Sequence, residues 1–109
     1  MNRTFKSDKF RKARGGYSRW LDIFCENCGE KILLYQKDGS GTLKRLYLDR
    51  IFAPKRFVDL DKFSLRKIPD LKCTKCKAVL AIPVVYQKEN RKAYRLFVGA
   101  VKQNIVKNN

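Results

Sequence analysis

The four cysteines of the chain fall into two Cys-x-x-Cys pairs, Cys25 with Cys28 and Cys73 with Cys76. A pair with this spacing can turn both sulfur atoms toward one cation. Two such pairs supply the four thiolate ligands of a tetrahedral zinc ion, at Zn–S distances of about 2.3 Å. The chain contains no histidine, so no imidazole completes the site. We therefore expect one structural zinc ion held by the four cysteines.

The interval between the two pairs is long, with 44 residues between Cys28 and Cys73. The shortest four-cysteine zinc patterns have roughly 15–20 residues there. The entropy of loop closure adds only about 0.6 kcal/mol for each doubling of loop length, so a long interval does not keep the pairs apart. We expect the interval itself to be structured.

Two other uses of paired cysteines compete with zinc. Structural disulfides require an oxidising compartment, and the first residues of the chain, 1–6, have no apolar core of signal-peptide length. A thiol–disulfide oxidoreductase typically carries one Cys-x-x-Cys at a helix N-terminus in a βαβ unit, a setting that this sequence does not predict. Zinc is the preferred interpretation, and the oxidoreductase is kept as an alternative function.

The charge of the chain favours a polyanionic partner. Its 26 lysines and arginines outnumber 10 acidic residues, giving a formal net charge of +16, and such a surplus attracts nucleic acid. Hydrophobic residues make up 44% of the chain and aromatic residues 12%, which is typical of a folded module and not of a disordered tail. No apolar run approaches the 18 residues of a membrane span. The charge could also attract an anionic membrane surface, but no amphipathic helix carries it, so we expect no membrane partner.

The chain divides into a basic arm, residues 1–19, and a single domain, residues 20–106. The arm has seven cationic residues and one acidic residue, a composition that predicts an extended, flexible segment that orders against an RNA backbone. A disordered, solubilising tail is the alternative for this segment.

The pattern of the domain predicts mainly β-structure. Residues 20–24 alternate as a strand leading to Cys25, and residues 31–36 and 42–48 flank an Asp-Gly turn signal and predict a hairpin. Residues 49–71, broken by Pro54 and Pro69, predict a loop with one helical turn near residues 60–63.

The second half repeats this layout after Cys76. Residues 78–82 and 84–87 predict strands, with Pro83 at a strand edge or bulge. Residues 88–91 predict a turn, and residues 92–101 a return strand. A C-terminal helix over residues 94–106 is the alternative, because short apolar runs are ambiguous by period.

Two cysteine knuckles that each lead into a hairpin, the first followed directly by Gly29, resemble the zinc-ribbon family over roughly residues 24–97. With the basic aromatic arm and the histidine-free cationic domain, the chain resembles a small zinc-binding ribosomal protein. The resemblance implies structural zinc, contacts with rRNA and neighbouring ribosomal proteins, one copy per assembly, no small-molecule substrate and no catalysis. We expect a location on cytoplasmic ribosomes or in a reducing organelle interior. A transcription factor that binds DNA or RNA polymerase and a transient ribosome-associated factor are the alternatives.

No catalytic residue is predicted, because four thiolates fill the zinc coordination shell. The predicted RNA contacts are cationic residues of the arm, of the first hairpin and of the second turn, and arginine carries most weight because its planar guanidinium bridges two phosphate oxygens or stacks on a base. They are Arg3, Lys6, Lys9, Arg11, Lys12, Arg14, Arg19, Lys44, Arg45, Arg50, Lys88, Arg91, Lys92 and Arg95.

Overall fold

Eight β-strands dominate the fold in the computed structural model, which describes residues 4–106. This strand content confirms the predicted mainly β class. One short helix, α1 (Lys9–Ala13), comes first. The strands are β1 (Ser18–Cys25), β2 (Lys31–Asp38), β3 (Arg45–Tyr47), β4 (Ile51–Ala53), β5 (Leu71–Lys72), β6 (Val79–Tyr86), β7 (Arg91–Leu96) and β8 (Val101–Ile105).

The strands form two four-stranded antiparallel sheets. The first sheet has the order β4-β2-β1-β8, and the second has the order β3-β7-β6-β5. The β1–β2 hairpin lies at the centre of the first sheet, whereas the β5–β6 hairpin lies at one edge of the second. Each hairpin loop carries one Cys-x-x-Cys pair. Because β3 crosses to the second sheet and β8 returns to the first, each sheet includes a strand from the other half of the chain.

The hydrophobic core joins residues of both sheets. Leu21 and Ile23 of β1 are buried at alternate positions, as a strand with one face on a core requires, and they pack with Leu46 and Tyr94 of the second sheet. Each such side chain contributes roughly 1.5–3 kcal/mol through burial. The two buried cysteines, Cys25 and Cys73, belong to the same cluster, so the cysteine site lies at one end of this core.

The predicted hairpin between residues 31–36 and 42–48 is wrong. β2 pairs with β1 and β4, whereas β3 pairs with β7 in the other sheet. The Asp-Gly signal serves another contact: Gly39 has φ +71° and its amide donates to the carbonyl of Tyr17 at 2.9 Å. A Cβ at this position would lie 2.5 Å from the carbonyl oxygen of Arg14. Glycine here therefore lets the N-terminal segment close on the end of β2.

The interval 49–71 holds more structure than predicted. The helical turn expected near residues 60–63 is present as a 3₁₀ turn, Leu60–Lys62. Strand β4 and part of β5 also lie in this interval, and further 3₁₀ turns span Leu48–Arg50, Lys55–Phe57 and Leu65–Lys67. Strands β4 and β5 were not predicted, because two or three residues are too few to show the alternation of a strand.

The C-terminal residues form two strands and no helix. The return strand predicted to extend to Val101 ends at Leu96 as β7. A tight turn follows, in which the amide of Ala100 donates to the carbonyl of Phe97 at 3.1 Å. Gly99, with φ +74°, allows this turn, and β8 then leaves for the first sheet.

The N-terminal segment differs from the extended, flexible arm that the sequence predicted. Asp8 caps helix α1 by accepting hydrogen bonds from two of its amides, each at 3.1 Å. The Phe5 ring stacks on Trp20 with centroids 4.6 Å apart, and the Lys6 amide donates to Gln36 at 2.8 Å. Residues 4–17 therefore pack against the β domain, because their aromatic rings and their single carboxylate find partners there.

Candidate metal centre

The two hairpin loops bring all four cysteine sulfur atoms to one place, within 4.8 Å of one another. Cys25 Sγ lies 3.7 Å from Cys76 Sγ, and Cys28 Sγ lies 3.5 Å from Cys73 Sγ. A tetrahedron with Zn–S bonds of about 2.3 Å has S–S edges of about 3.8 Å. The cluster thus has the size of a four-thiolate site and can coordinate one metal ion.

The two loops share one backbone conformation. In each, the amide of the first cysteine, Cys25 or Cys73, donates to the carbonyl five residues later, at 2.8 and 2.9 Å. The amide four residues later donates back to the same cysteine carbonyl, also at 2.8 and 2.9 Å. The residue that makes this return bond is left-handed in both loops, Gly29 with φ +81° and Lys77 with φ +68°. The layout that the second half of the sequence repeats therefore extends to the backbone geometry of the two loops.

Hydrogen bonds to sulfur favour thiolates in the second loop. The Asn27 side chain and the Ala78 amide lower the pKa of Cys76 to about 6. The amide of Cys76, whose nitrogen lies 3.5 Å from Cys73 Sγ, lowers the pKa of Cys73. Anionic sulfur is the form that binds a metal.

In the first loop, the pKa of Cys28 is raised, which favours its neutral thiol form. The Glu30 amide lowers the pKa of Cys28, but burial and the three neighbouring thiols outweigh that bond and raise it to about 12. Four thiolates at this spacing repel one another, and a bound cation relieves the repulsion.

The donor set limits what the site can do. Four soft sulfur ligands suit zinc or iron, and a metal with four protein ligands has no open position for a substrate or water. Such an ion would join the β1–β2 hairpin of the first sheet to the β5–β6 hairpin of the second. The arrangement can therefore hold the two sheets together through one ion.

A second cluster of charged side chains, here called the guanidinium–carboxylate cluster, lies at the end of the β1–β2 hairpin opposite the cysteine site. Arg50 donates to Asp38 at 2.9 Å and to Asp8 at 2.7 Å, and its side chain is 1% exposed. Two further arginines complete it through ion pairs with Asp49 and Glu89. The members are Asp8, Arg14, Asp38, Asp49, Arg50, Glu89 and Arg91.

Two predicted RNA contacts, Arg50 and Arg91, are consequently buried inside the protein, and a third, Arg14, is paired with Glu89 while its side chain stays 25% exposed. Arg91 lies between the rings of Phe10 and Tyr47, 4.1 and 3.8 Å from their centroids. Buried guanidinium groups require compensating carboxylates, and Arg50 and Arg91 have them. The assignment of these two residues to phosphate binding is corrected to a structural role, whereas the contact of Arg14 stays a prediction.

The remaining predicted contacts are spread over the surface. Lys6, Arg11 and Lys92 donate to protein oxygens at 2.7–2.9 Å, and Arg19 is half-buried. The exposed ones are Lys9, Lys12, Lys44, Lys88 and Arg95, and Arg45 lies half-buried beside Arg95. Arg3 lies outside the described residues.

The carboxylates of the second cluster were missed as a group by sequence reasoning. Arg50 and Asp8 are 42 positions apart, and Arg14 and Glu89 are 75 apart, so no local pattern joins them. Only Asp8 had a local signal, as the N-cap of a short helix.

Within residues 4–106, no helix is long and apolar enough to cross a membrane. Comparison with models of protein families, with curated proteins and with solved structures finds no match to this chain. The functional conclusions therefore depend on the geometry and charge of the described residues.

Proposed function

We propose that this chain is a structural RNA-binding protein stabilised by one zinc ion, and that it works as a component of a ribonucleoprotein, the ribosome in the first place. Zinc is proposed because it accepts four thiolates in tetrahedral geometry without redox chemistry. The proposed RNA surface is the outer face of the second sheet.

The carrying observation is a pair of arginines directly opposite each other on that face. Arg45 of β3 is in register with Arg95 of β7. Their neighbours Leu46 and Tyr94 are fully buried on the inner face, so the two arginines project outward. Like charges directly opposite in a sheet destabilise it. Neither arginine has an ion-pair partner among residues 4–106, which favours an anionic partner supplied from outside.

The arginine geometry suits phosphate. Arg45 Cζ lies over the Tyr86 ring, 4.2 Å from its centroid, and Arg45 Nη1 donates to the Tyr47 hydroxyl at 3.4 Å, so its guanidinium is held at the sheet surface. A planar guanidinium donates two parallel hydrogen bonds to phosphate oxygens. Such preorganisation reduces the side-chain entropy lost on binding.

The charge distribution supports the same surface. Four of the ten carboxylates pair with three arginines in the guanidinium–carboxylate cluster. That cluster has a net charge of −1, so the rest of the chain holds 23 cationic and 6 acidic residues, a net charge of +17. RNA phosphates are the polyanion that such a surface attracts in a ribonucleoprotein.

The test is the affinity of the zinc-loaded protein for short RNAs as a function of salt. Each phosphate neutralised on a single strand contributes about −0.7 to the slope of log affinity against log salt. The double variant Arg45→Gln, Arg95→Gln should bind more weakly with a slope shallower by about 1.4. Its matched control is Lys62→Gln, Lys67→Gln, which removes equal charge from exposed positions in the interval between β4 and β5 and should change the slope less. Affinity that is insensitive to salt would contradict RNA binding.

The ribosomal assignment has its own test. Native protein sedimented from its own cells should stay with one ribosomal subunit through moderate and high salt. Metal-bound protein at the top of the gradient would contradict residence in the ribosome and favour the DNA- or polymerase-binding alternative.

A further inference from the structure

A surface groove of about 630 Å³ lies beside the Arg45–Arg95 pair, between the loop that precedes β3 and the turn that joins β7 to β8. Lys44, Arg45 and Arg95 line it together with Phe97 and Val98. None of the described residues that line this groove is acidic. Its volume lies within the range of small-ligand sites, about 300–1,000 Å³.

The walls of the groove are tied to the sheet by backbone hydrogen bonds. The amide of Leu96 donates to the carbonyl of Lys44 at 3.2 Å, and the amide of Phe97 donates to that of Leu80 at 3.0 Å. The turn at Gly99 closes through the Ala100 amide, at 3.1 Å from the Phe97 carbonyl oxygen. The groove is therefore held in place by the backbone before any ligand binds.

Two apolar side chains of the groove are exposed to solvent. Phe97 is 42% exposed, and Val98 at the tip of the turn is fully exposed. Exposed apolar side chains rimmed by charge are typical of binding sites. An aromatic face beside paired arginines matches a nucleotide, since a base stacks on the ring while its phosphate is held by guanidinium groups.

We propose that this groove binds an unpaired nucleotide of the RNA, with the base stacked on Phe97 and the adjacent phosphate held by Arg45 and Arg95. The inference rests on the proposed function and adds a preference for single-stranded or bulged RNA. A base inside a duplex has no free face, so duplex RNA would use the arginines alone.

The experiment compares a short single-stranded RNA with the same strand in duplex form, using the zinc-loaded protein. Phe97→Ala should weaken single-strand binding by at least about fivefold and leave duplex binding unchanged. Phe97→Trp should retain the single-strand affinity, because it preserves a stacking surface. Phe63→Ala removes a similarly exposed ring outside the groove, and as the matched control it should change neither affinity. Phe97 is exposed, so zinc content and thermal stability should stay constant in all three variants.

A second probe separates the contribution of the base to affinity from that of the phosphate charge. A strand of the same length with abasic sites keeps every phosphate and should bind the wild type as weakly as the intact strand binds Phe97→Ala. Equal binding of intact and abasic strands, or equal competition by poly-glutamate of matched charge, would overturn the proposal. If Phe97→Ala has no effect while Arg45→Gln, Arg95→Gln weakens both RNAs, the nucleotide site fails and RNA binding stands. If wild type binds no RNA, the proposed function itself fails.

Discussion

The two ends of the β1–β2 hairpin are joined to the opposite sheet by different chemistry. β1 begins at Ser18, paired with Asp38 of the guanidinium–carboxylate cluster, and ends at Cys25 of the cysteine site. Seven residue steps of a strand separate these ends by about 23 Å. One end uses four sulfur atoms from two loops, whereas the other uses charged side chains from four separate parts of the chain. The sheets are thus joined at both ends, once through four cysteines that can bind a metal and once through ion pairs.

The two chemistries differ in what they contribute to stability. Metal binding to a structural thiolate site supplies about 10–16 kcal/mol of apparent free energy, which becomes folding free energy. A buried ion pair gives little net stability, because desolvation offsets the attraction, but removing one partner leaves a costly unpaired charge. The cysteine end should therefore decide whether the chain folds, and the ion-pair end how firmly the N-terminal segment is held.

The largest effect should come from the cysteine end. Cys76→Ser removes one thiolate, so we expect loss of the bound metal and of the cooperative native fold, as should also follow when a strong chelator removes the metal. Metal content and the circular dichroism spectrum measure both. Thr74→Ser in the same loop is the control and should retain metal. A Cys76→Ser protein with the wild-type melting temperature would contradict the larger contribution of the cysteine end to stability.

The next effect concerns the opposite end. Arg50→Met leaves Asp38, with a side chain only 4% exposed, without its cation, so the free energy of unfolding should fall by about 3–5 kcal/mol. Denaturant titration of the metal-loaded protein measures this change. The control Lys62→Met breaks an exposed pair with Asp59 and should change stability by less than about 1 kcal/mol. Equal effects of the two substitutions would show that burial of Arg50 is unimportant.

A smaller effect should separate the two cysteine loops. Gly29 and Lys77 hold equivalent left-handed positions, and a Cβ at Gly29 would meet no atom within 4 Å. Backbone strain is therefore the main difference between the residues, beside an exposed hydrogen bond from Lys77 Nζ to the Thr74 carbonyl at 3.0 Å. Gly29→Lys should lower the free energy of unfolding by about 1–2 kcal/mol. Lys77→Gly should raise it by about 0.5–1 kcal/mol, since glycine removes the strain and loses more chain entropy. Denaturant midpoints compare the pair, and a destabilised Lys77→Gly would contradict the equivalence of the loops.

The smallest effect is the loss of stability of the N-terminal segment at acid pH. The pKa of Glu89 is lowered from 4.5, mainly by its hydrogen bonds from Arg14. In Asp8 the hydrogen bonds from Arg50 and from α1 outweigh burial and lower the pKa from 3.8. A lowered pKa in the folded state gives stability that is complete above the unfolded value and is lost as pH falls. The N-terminal segment should therefore loosen as pH falls below about 4.5.

This loosening can be followed through Trp20, which is the only tryptophan of the chain and stacks on Phe5. Its emission should shift to the red as the segment releases it to water. Arg14→Met should show a shallower acid dependence of stability than wild type, because Glu89 then loses its main partner. Protonation of the cysteines affects both proteins alike, so identical profiles would contradict a role for the Arg14–Glu89 pair.

The same contrast explains what the sequence could predict. The cysteine end was predictable because its ligands come in local pairs, and the β6–β7 hairpin was predictable because its apolar strands flank a short polar turn. The ion-pair end was not, since Arg14 and Glu89 meet only after both sheets have formed. The Asp-Gly signal at Gly39 led to a wrong hairpin prediction, because this glycine instead lets the N-terminal segment pack closely against the end of β2. A turn signal specifies a backbone conformation, whereas the pairing of β3 depends on which sheet buries Leu46.

The most direct test of the metal-linked fold is X-ray absorption at the zinc edge of protein purified without added metal. We predict one zinc per chain, with a first shell of four sulfur atoms at about 2.3 Å. Absence of zinc, or a shell with nitrogen or oxygen in place of one or more sulfur atoms, would contradict the account.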